Sequence, residues 1–259
     1  MMRFDVRDVP TEGLAESEAI RGAYDCFVKQ GYAILDNALP GDRMREVAAE
    51  FERRYAHYYN GTPAGEFMEV GNRRMMIPVE LSGVFNDPLL FANPFVLALL
   101  KMALGPDAVI EAFGAFVALP GAEKQHVHRD GPSLFDAGIA RILPAHALTV
   151  VFPLIEMNDR HGSTRIWPGS HRHLENDPEG PNEAPVVPLG SCFMWDFRTY
   201  HSGTANVSDR QRPMLYAVYS RPWFKDSENY GRGVQRRLAL EPGLKESLPK
   251  ETKALFANV

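Results

Sequence analysis

Apolar residues recur three and four positions apart in three stretches of the first hundred residues, and run in short blocks after that. Over 17–29, Ile20, Ala23, Cys26 and Phe27 take helical spacing, and Gly31 is the expected terminator. Over 41–59, Met44, Val47, Phe51 and Tyr55 do the same. A third helical region, 88–104, should be divided by Pro94, with Asp87 and Asn93 as caps of its two parts. Between the first two helices, the run 32–35 predicts a short strand. From residue 108 the pattern changes. Runs at 109–119, 147–154, 191–197 and 214–219 predict strands, the first closed by Pro120-Gly121. Residues 131–144 and 173–188 lack periodicity and predict loops bordering a site. Pro249 suits the first turn of a last helix over 249–256.

This order predicts a mainly β protein with flanking helices, its short strands forming a sandwich or barrel. The expected organisation is one domain over 1–259. A mostly helical N-terminal layer would cover 1–106, a β core 107–222 and a C-terminal extension 223–259. Hydrophobic content of 45% and charged content of 24% are ordinary for a globular enzyme. A formal net charge of −5 and the absence of a basic tract beyond Arg236-Arg237 argue against a nucleic-acid partner. The longest apolar run, 95–105, is short and interrupted by Lys101, so no membrane partner is expected. The N-terminus is too charged for a signal peptide, and the two cysteines, Cys26 and Cys192, form no metal or redox spacing. Both are expected reduced and the protein cytoplasmic. Monomer and homodimer both remain open.

The candidate chemistry lies in His128-Arg129-Asp130, His201 and an arginine soon after it. Residues i and i+2 of a strand share a face, so His128 and Asp130 can aim at one metal while Arg129 points away. His201, 71 positions after Asp130, must come from another strand. Two imidazoles and one carboxylate are the donors of the facial triad that holds non-haem Fe(II) and leaves positions open. His126 and His128 also share a face, which keeps open a cupin-type pair with Asp130 behind it. Arg212 follows His201 by eleven positions, with the turn-forming residues 205–209 between them. That spacing predicts a hairpin placing Arg212 opposite His201, where it could clamp a carboxylate of 2-oxoglutarate. Arg210, on the same face, is the rival.

Three segments carry a resemblance. Gln125-His126-Val127-His128-Arg129-Asp130 is similar to a Q-x-x-H-x-D motif. Gly162-Ser163-Thr164-Arg165-Ile166-Trp167-Pro168-Gly169-Ser170-His171 is similar to G-[AS]-T-x-x-x-P-G-S-H. His201-Ser202-Gly203 through Arg212 supplies a distal histidine and its arginine. Together they resemble the phytanoyl-CoA dioxygenase family of Fe(II)/2-oxoglutarate-dependent oxygenases, over about 107–222, with a weaker likeness at 31–36. The H-R-D form and the G-S-T-R run are most similar to members that tailor secondary metabolites.

The resemblance implies a double-stranded β-helix, a jelly-roll or cupin-like barrel with the metal at one mouth. It selects His128, Asp130 and His201 as ligands, and Arg212 at the family's +11 spacing. It implies that Gln125 and Thr164 contact 2-oxoglutarate, although Gln125 would face the wrong way on a straight strand. Asn72 and Arg73 fall where members contact substrate, and Phe135 follows the metal motif closely enough to wall a pocket. His171 is expected to be structural. The implied reaction consumes O₂ and 2-oxoglutarate and oxidises a C–H bond of a small organic metabolite. Hydroxylation comes first; desaturation, epoxidation or rearrangement would use the same residues. Asp130 argues against halogenation, because halogenases of this broader class carry Gly or Ala there. Two other classes compete: a cupin-like metalloenzyme with no use for Arg212, and a non-catalytic ligand-binding barrel with no need of an intact triad.

Overall fold

The computed structural model describes residues 2–60, 67–131, 133–135, 138–175, 177–226, 229 and 237–258. Arg236 and parts of the two expected loops, at 132, 136–137 and 176, lie outside the described residues.

Strand β1 (Phe4–Asp5) precedes α1 (Glu18–Gln30), which ends at Gly31 with φ 80°. That left-handed conformation suits glycine, and its N–H closes on the Phe27 carbonyl at 2.8 Å. Strand β2 (Tyr32–Asp36) and helix α2 (Gly41–Tyr55) follow. Next come β3 (Met68–Glu69), β4 (Arg74–Pro78) and β5 (Glu80–Leu81). Pro94 divides the third helical region as the pattern predicts, into α3 (Pro88–Phe91) and α4 (Pro94–Leu104). The Asp87 carboxylate accepts from the Leu89 N–H, and the Asn93 side chain accepts from those of Phe95 and Val96.

The remaining strands are β6 (Val109–Ala118), β7 (Ala147–Pro153), β8 (Thr164–Ile166), β9 (Cys192–Asp196), β10 (His201–Gly203), β11 (Arg212–Ser220) and β12 (Ala239–Leu240). Short helices at Leu244–Ser247 and Lys250–Lys253 follow, the second with Pro249 at its N-cap rather than inside the first turn and continued by a 3-10 turn at Ala254–Phe256.

Eight strands form the main sheet in the order β1-β2-β9-β7-β11-β6-β4-β3. It is antiparallel throughout except for the β1–β2 edge. Both faces are covered, and successive residues feed opposite sides with period two. Leu35, Val150 and Leu215 join a core shared with Ile20, Val47, Phe51 and Leu99 of the helices. Ile34, Val151 and Tyr216 turn inward to a second core with Trp195 and Phe197. Burying each large side chain contributes roughly 1.5–3 kcal/mol, so the two cores together lock the strand register.

The second wall is short. Strand β10 pairs antiparallel with β8, with His201 opposite Ile166 and Gly203 opposite Thr164. Bridges His128↔His201 and Ile166↔Glu183 widen it at either edge. The fold is thus mainly β, two sheets facing each other in the manner of a jelly-roll, with helices on the outer face of the larger. Among the described residues no helix is long and apolar enough to cross a membrane.

Two sequence expectations need correction. The mostly helical N-terminal layer carries more strand than the one expected at 32–35, since β4 as well as β2 is built into the main sheet. After Arg74, Met75-Met76-Ile77-Pro78 is an unbroken apolar run rather than an alternating one, as in strands buried on both faces. Also, His201 and Arg212 do not form a hairpin. Strand β10 belongs to the small sheet, whereas β11 pairs with β6 and β7 in the large one. The chain crosses between sheets at 204–211. There Asn206 donates to the carbonyls of Ala118 and Arg210 at 3.0 and 2.8 Å and accepts from Ser208.

Candidate metal centre

His128 and His201 exchange both backbone hydrogen bonds, at 3.0 and 2.9 Å, so they form a directly opposed antiparallel pair. Each imidazole is oriented by the chain two residues before it. Nδ1 of His128 lies 2.9 Å from the His126 carbonyl, and Nδ1 of His201 lies 3.0 Å from that of Thr199. A carbonyl only accepts, so each Nδ1 carries a proton and each Nε2 is the nitrogen left to face a metal. Asp130 is held beside them by its own N–H, which donates to the Phe197 carbonyl at 3.0 Å. Ligand atoms of His128, Asp130 and His201 all lie within 4.8 Å of one another.

The two oxygens of Asp130 differ. Oδ2 accepts from Thr149 Oγ1 at 2.6 Å and from Trp195 Nε1 at 2.8 Å. Oδ1 faces His201 Nε2 at 3.3 Å. Burial by itself raises the Asp130 carboxyl, but the His201 imidazole and the hydrogen bonds from His201 and Thr149 outweigh it and hold the group down at about 2. The same contact raises His201 against the effect of burial. Burial, then the neighbouring His201, lowers His128 to about 4. A neutral imidazole, a neighbour that gives up its proton on ligation and an ionised carboxylate oxygen are the donor set a divalent iron needs. His126 is exposed, with its ring 5.0 Å from that of His128, and is not part of this group.

A cavity of about 450 Å³ opens on these three residues. At one side stands Arg212, 1% exposed. Its Nε has no hydrogen-bond partner, and its Nη1 donates to the Met214 sulfur at 3.2 Å. Arg74 stands at the same height, because both residues pair with Ala118 from either side of β6. It too is buried, its Nε and Nη2 donating to the Glu123 carbonyl at 3.1 and 2.8 Å. A Cβ on Gly203 would come within 2.6 Å of Arg74 Nη1, so the glycine leaves room for this guanidinium. Among the described residues neither arginine has a carboxylate partner. Burial lowers Arg74 to about 10; burial and the Arg74 charge lower Arg212 to about 9. An unpaired buried cation is costly, so two in one cavity fit an anionic ligand.

Thr164 also faces this cavity, its hydroxyl buried without a partner. Gln125 reaches the cavity because 122–127 is irregular rather than a straight strand. Its amide is engaged with backbone, donating to the Val70 carbonyl at 2.7 Å and accepting from the Gly203 N–H at 3.3 Å. Arg210 is exposed and lies outside the cavity.

The three expected substrate contacts do not line it. Asn72 is exposed, Arg73 turns out to donate to the Pro120 carbonyl at 2.6 Å, and Phe135 is 55% exposed. The apolar wall is made instead by Met68, Val70, Met76, Phe116, Phe197, Met214 and Val218. His171 packs under Gly31 with Nε2 3.2 Å from the Val28 carbonyl, a structural place. Sequence reading missed Arg74, Thr149 and Trp195. Thr149 is the one polar residue of β7, and Arg74 a lone charge on a buried strand, and both were visible signals. Trp195 looked like any core aromatic.

The sequence model of the family described as Phytanoyl-CoA dioxygenase (PhyH) matches residues 27–214. Dioxygenase af480 of Aspergillus fumigatus is 32% identical over 186 residues, 68% of this chain. That match spans 58% of the fungal protein's length. The Mycobacterium tuberculosis protein Rv1501 is 23% identical over 252 residues, covering 90% of this chain and 86% of that one. Among solved structures, the epimerase SnoN in complex with Fe3+, alpha ketoglutarate and nogalamycin RO aligns with TM-score 0.58 at 19% identity. The alignment covers 85% of this chain and 94% of SnoN, a likeness of fold.

Proposed function

Since the chain belongs to the phytanoyl-CoA dioxygenase family of non-haem iron, 2-oxoglutarate-dependent dioxygenases, we propose that it oxidises an unactivated C–H bond of a small organic metabolite. Hydroxylation is the first reading; desaturation, epoxidation and rearrangement share the same requirements. The observation that carries the reading is Arg212, a buried cation without an anion that faces the same cavity as His128, Asp130 and His201. A hydrolytic cupin-like centre would have no use for it, and a plain binding barrel no use for the triad.

On this reading His128 and His201 give Nε2, and Asp130 gives Oδ1, to Fe(II). Arg212 pairs with the distal carboxylate of 2-oxoglutarate, and Arg74 adds a second cation behind it. Thr164 Oγ1 is free to donate to the cosubstrate, while Gln125 orders the Val70 and Gly203 backbone at its edge. When bound, iron with 2-oxoglutarate and O₂ supplies the oxidation of a C–H bond, with release of succinate and CO₂. The chain's part is to hold the cosubstrate in one orientation, exclude water with the apolar wall and place one C–H bond at the metal.

The substrate follows from that wall. Five of its seven members are aromatic or methionine side chains, with Met68, Met76 and Met214 able to adapt their shape. They suit a largely apolar metabolite of irregular outline, consistent with secondary metabolism. The reading treats 1–259 as one domain of a cytoplasmic enzyme, supported by β1 and β11 sharing one sheet.

The test is succinate formation on admitting O₂ to protein loaded anaerobically with Fe(II) and 2-oxoglutarate, beside a spectrum of the anaerobic complex. Succinate, or a visible charge-transfer band on adding 2-oxoglutarate, supports the reading if Arg212→Ala removes it. Absence of both in iron-loaded protein sinks the cosubstrate assignment.

A further inference from the structure

Asp130 is the only one of the three proposed ligands whose free atom is set by the opposite sheet. Its backbone sits on the irregular segment after His128, yet both donors to its Oδ2 come from the large sheet. Thr149 lies on β7 and Trp195 on β9, and the two are Cα partners in the β7–β9 ladder. Residues directly opposite in an antiparallel pair project to the same face, so the ladder places hydroxyl and indole N–H side by side. Thr149 is 2% exposed and Trp195 2%, and the indole also packs on His201, with ring centroids 5.0 Å apart and planes tilted by 44°.

We propose that Thr149 and Trp195 are positioning residues that hold Asp130 as a one-oxygen ligand. This rests on the reading of Asp130 as an iron ligand. A carboxylate can bind a metal through one oxygen or two. Here Oδ2 is occupied by two donors whose positions are fixed by sheet register, so swinging it to the metal breaks two buried hydrogen bonds. Leaving two buried donors unpaired is costly, which disfavours the two-oxygen mode. The position that mode would fill is thereby kept for cosubstrate or O₂. Oδ1 is left facing His201 and the cavity. The indole contributes besides as a wall against His201, so two of the three ligands depend on one side chain.

Thr149→Val keeps the shape and loses the hydroxyl; Thr149→Ser keeps the hydroxyl; Trp195→Phe keeps a ring and loses the donor. Anaerobic Fe(II) titration of each should raise Kd about 10–100-fold for Thr149→Val and for Trp195→Phe, with Thr149→Ser close to wild type. At saturating iron, the charge-transfer band with 2-oxoglutarate should weaken in the first two and recover in the third. In the metal-free protein, the Trp195 indole N–H resonance should be protected from exchange and lose that protection in Asp130→Ala. Circular dichroism confirms that each variant is folded. Wild type that binds iron and 2-oxoglutarate with unchanged Kd and band in Thr149→Val and Trp195→Phe overturns the proposal while the oxygenase reading stands. Wild type that binds no iron overturns both.

Discussion

The wall that carries Arg212 and the wall that carries the histidines are built differently. Strand β11 runs nine residues, all buried, between two long partners. Strand β10 runs three, and His128 is joined to it by an isolated bridge. Arg212 is thus fixed by the sheet itself. The proposed metal ligands are fixed one at a time, by carbonyls at Nδ1 and, for Asp130, by donors reaching across from the large sheet. A rigid sheet can place a cation with no partner and bear the cost, because strand pairing and the outer core oppose its escape. A short wall needs local hydrogen bonds for each ligand.

The largest effect should come from breaking the ligand wall. His128→Ala or His201→Ala should abolish stoichiometric Fe(II) binding, measured by anaerobic dialysis, and with it all succinate formation. One iron per chain retained in either variant would break the comparison at its root.

Next comes the arginine wall. Arg212→Met should leave iron binding intact but weaken 2-oxoglutarate by at least about 30-fold, since losing one partner of a buried charge pair costs about 2 kcal/mol or more. The same change should raise the melting temperature of the metal-free protein by a few degrees, because an apolar side chain replaces an unpaired buried charge. A fall in that temperature would mean that Arg212 is a structural residue first.

Ligand addition sharpens the point. At 100 times its Kd, 2-oxoglutarate should stabilise the iron-loaded wild type by about 2.7 kcal/mol, read as a shift in thermal unfolding. Arg212→Met, bound at least about 30-fold more weakly, should show no more than about 0.9 kcal/mol of it at the same concentration.

The smallest effect concerns a group outside the site. His146 is 1% exposed with both ring nitrogens unpartnered, packed on Phe224, and burial lowers it to about 4, with Asp196, Arg198 and Arg221 nearby. The unfolded chain takes up a proton near pH 6.5 and the folded chain only near 4, so stability falls as pH drops through that window. The urea midpoint of His146→Leu should depend less on pH between 6.5 and 4 than that of wild type.

Much of this was legible in the chain because it was local. Asp87 and Asn93 cap the helices that Pro88 and Pro94 start, and Gly31 ends α1, each decided within four residues. His128 and Asp130 were legible because a fixed short spacing carries their chemistry. Arg74 was legible only as a lone charge, and its place beside Arg212 was not, since the two lie 138 positions apart and meet only by sharing Ala118. Nor was the exposure of Asn72, Arg73 and Phe135, because sequence proximity to a motif says nothing of which way a side chain turns.

By itself the sequence determined the main helices and the longer strands, the family and the residue types of a candidate metal site with an arginine. Periodicity, caps and short motifs are properties of neighbours along the chain. The tertiary structure decided that His201 and Arg212 stand on separate sheets, that Arg74 joins Arg212, and that Thr149 and Trp195 occupy one oxygen of Asp130. Those are matters of strand order and register, which arise when distant segments bury a common core and are written in no single stretch of residues.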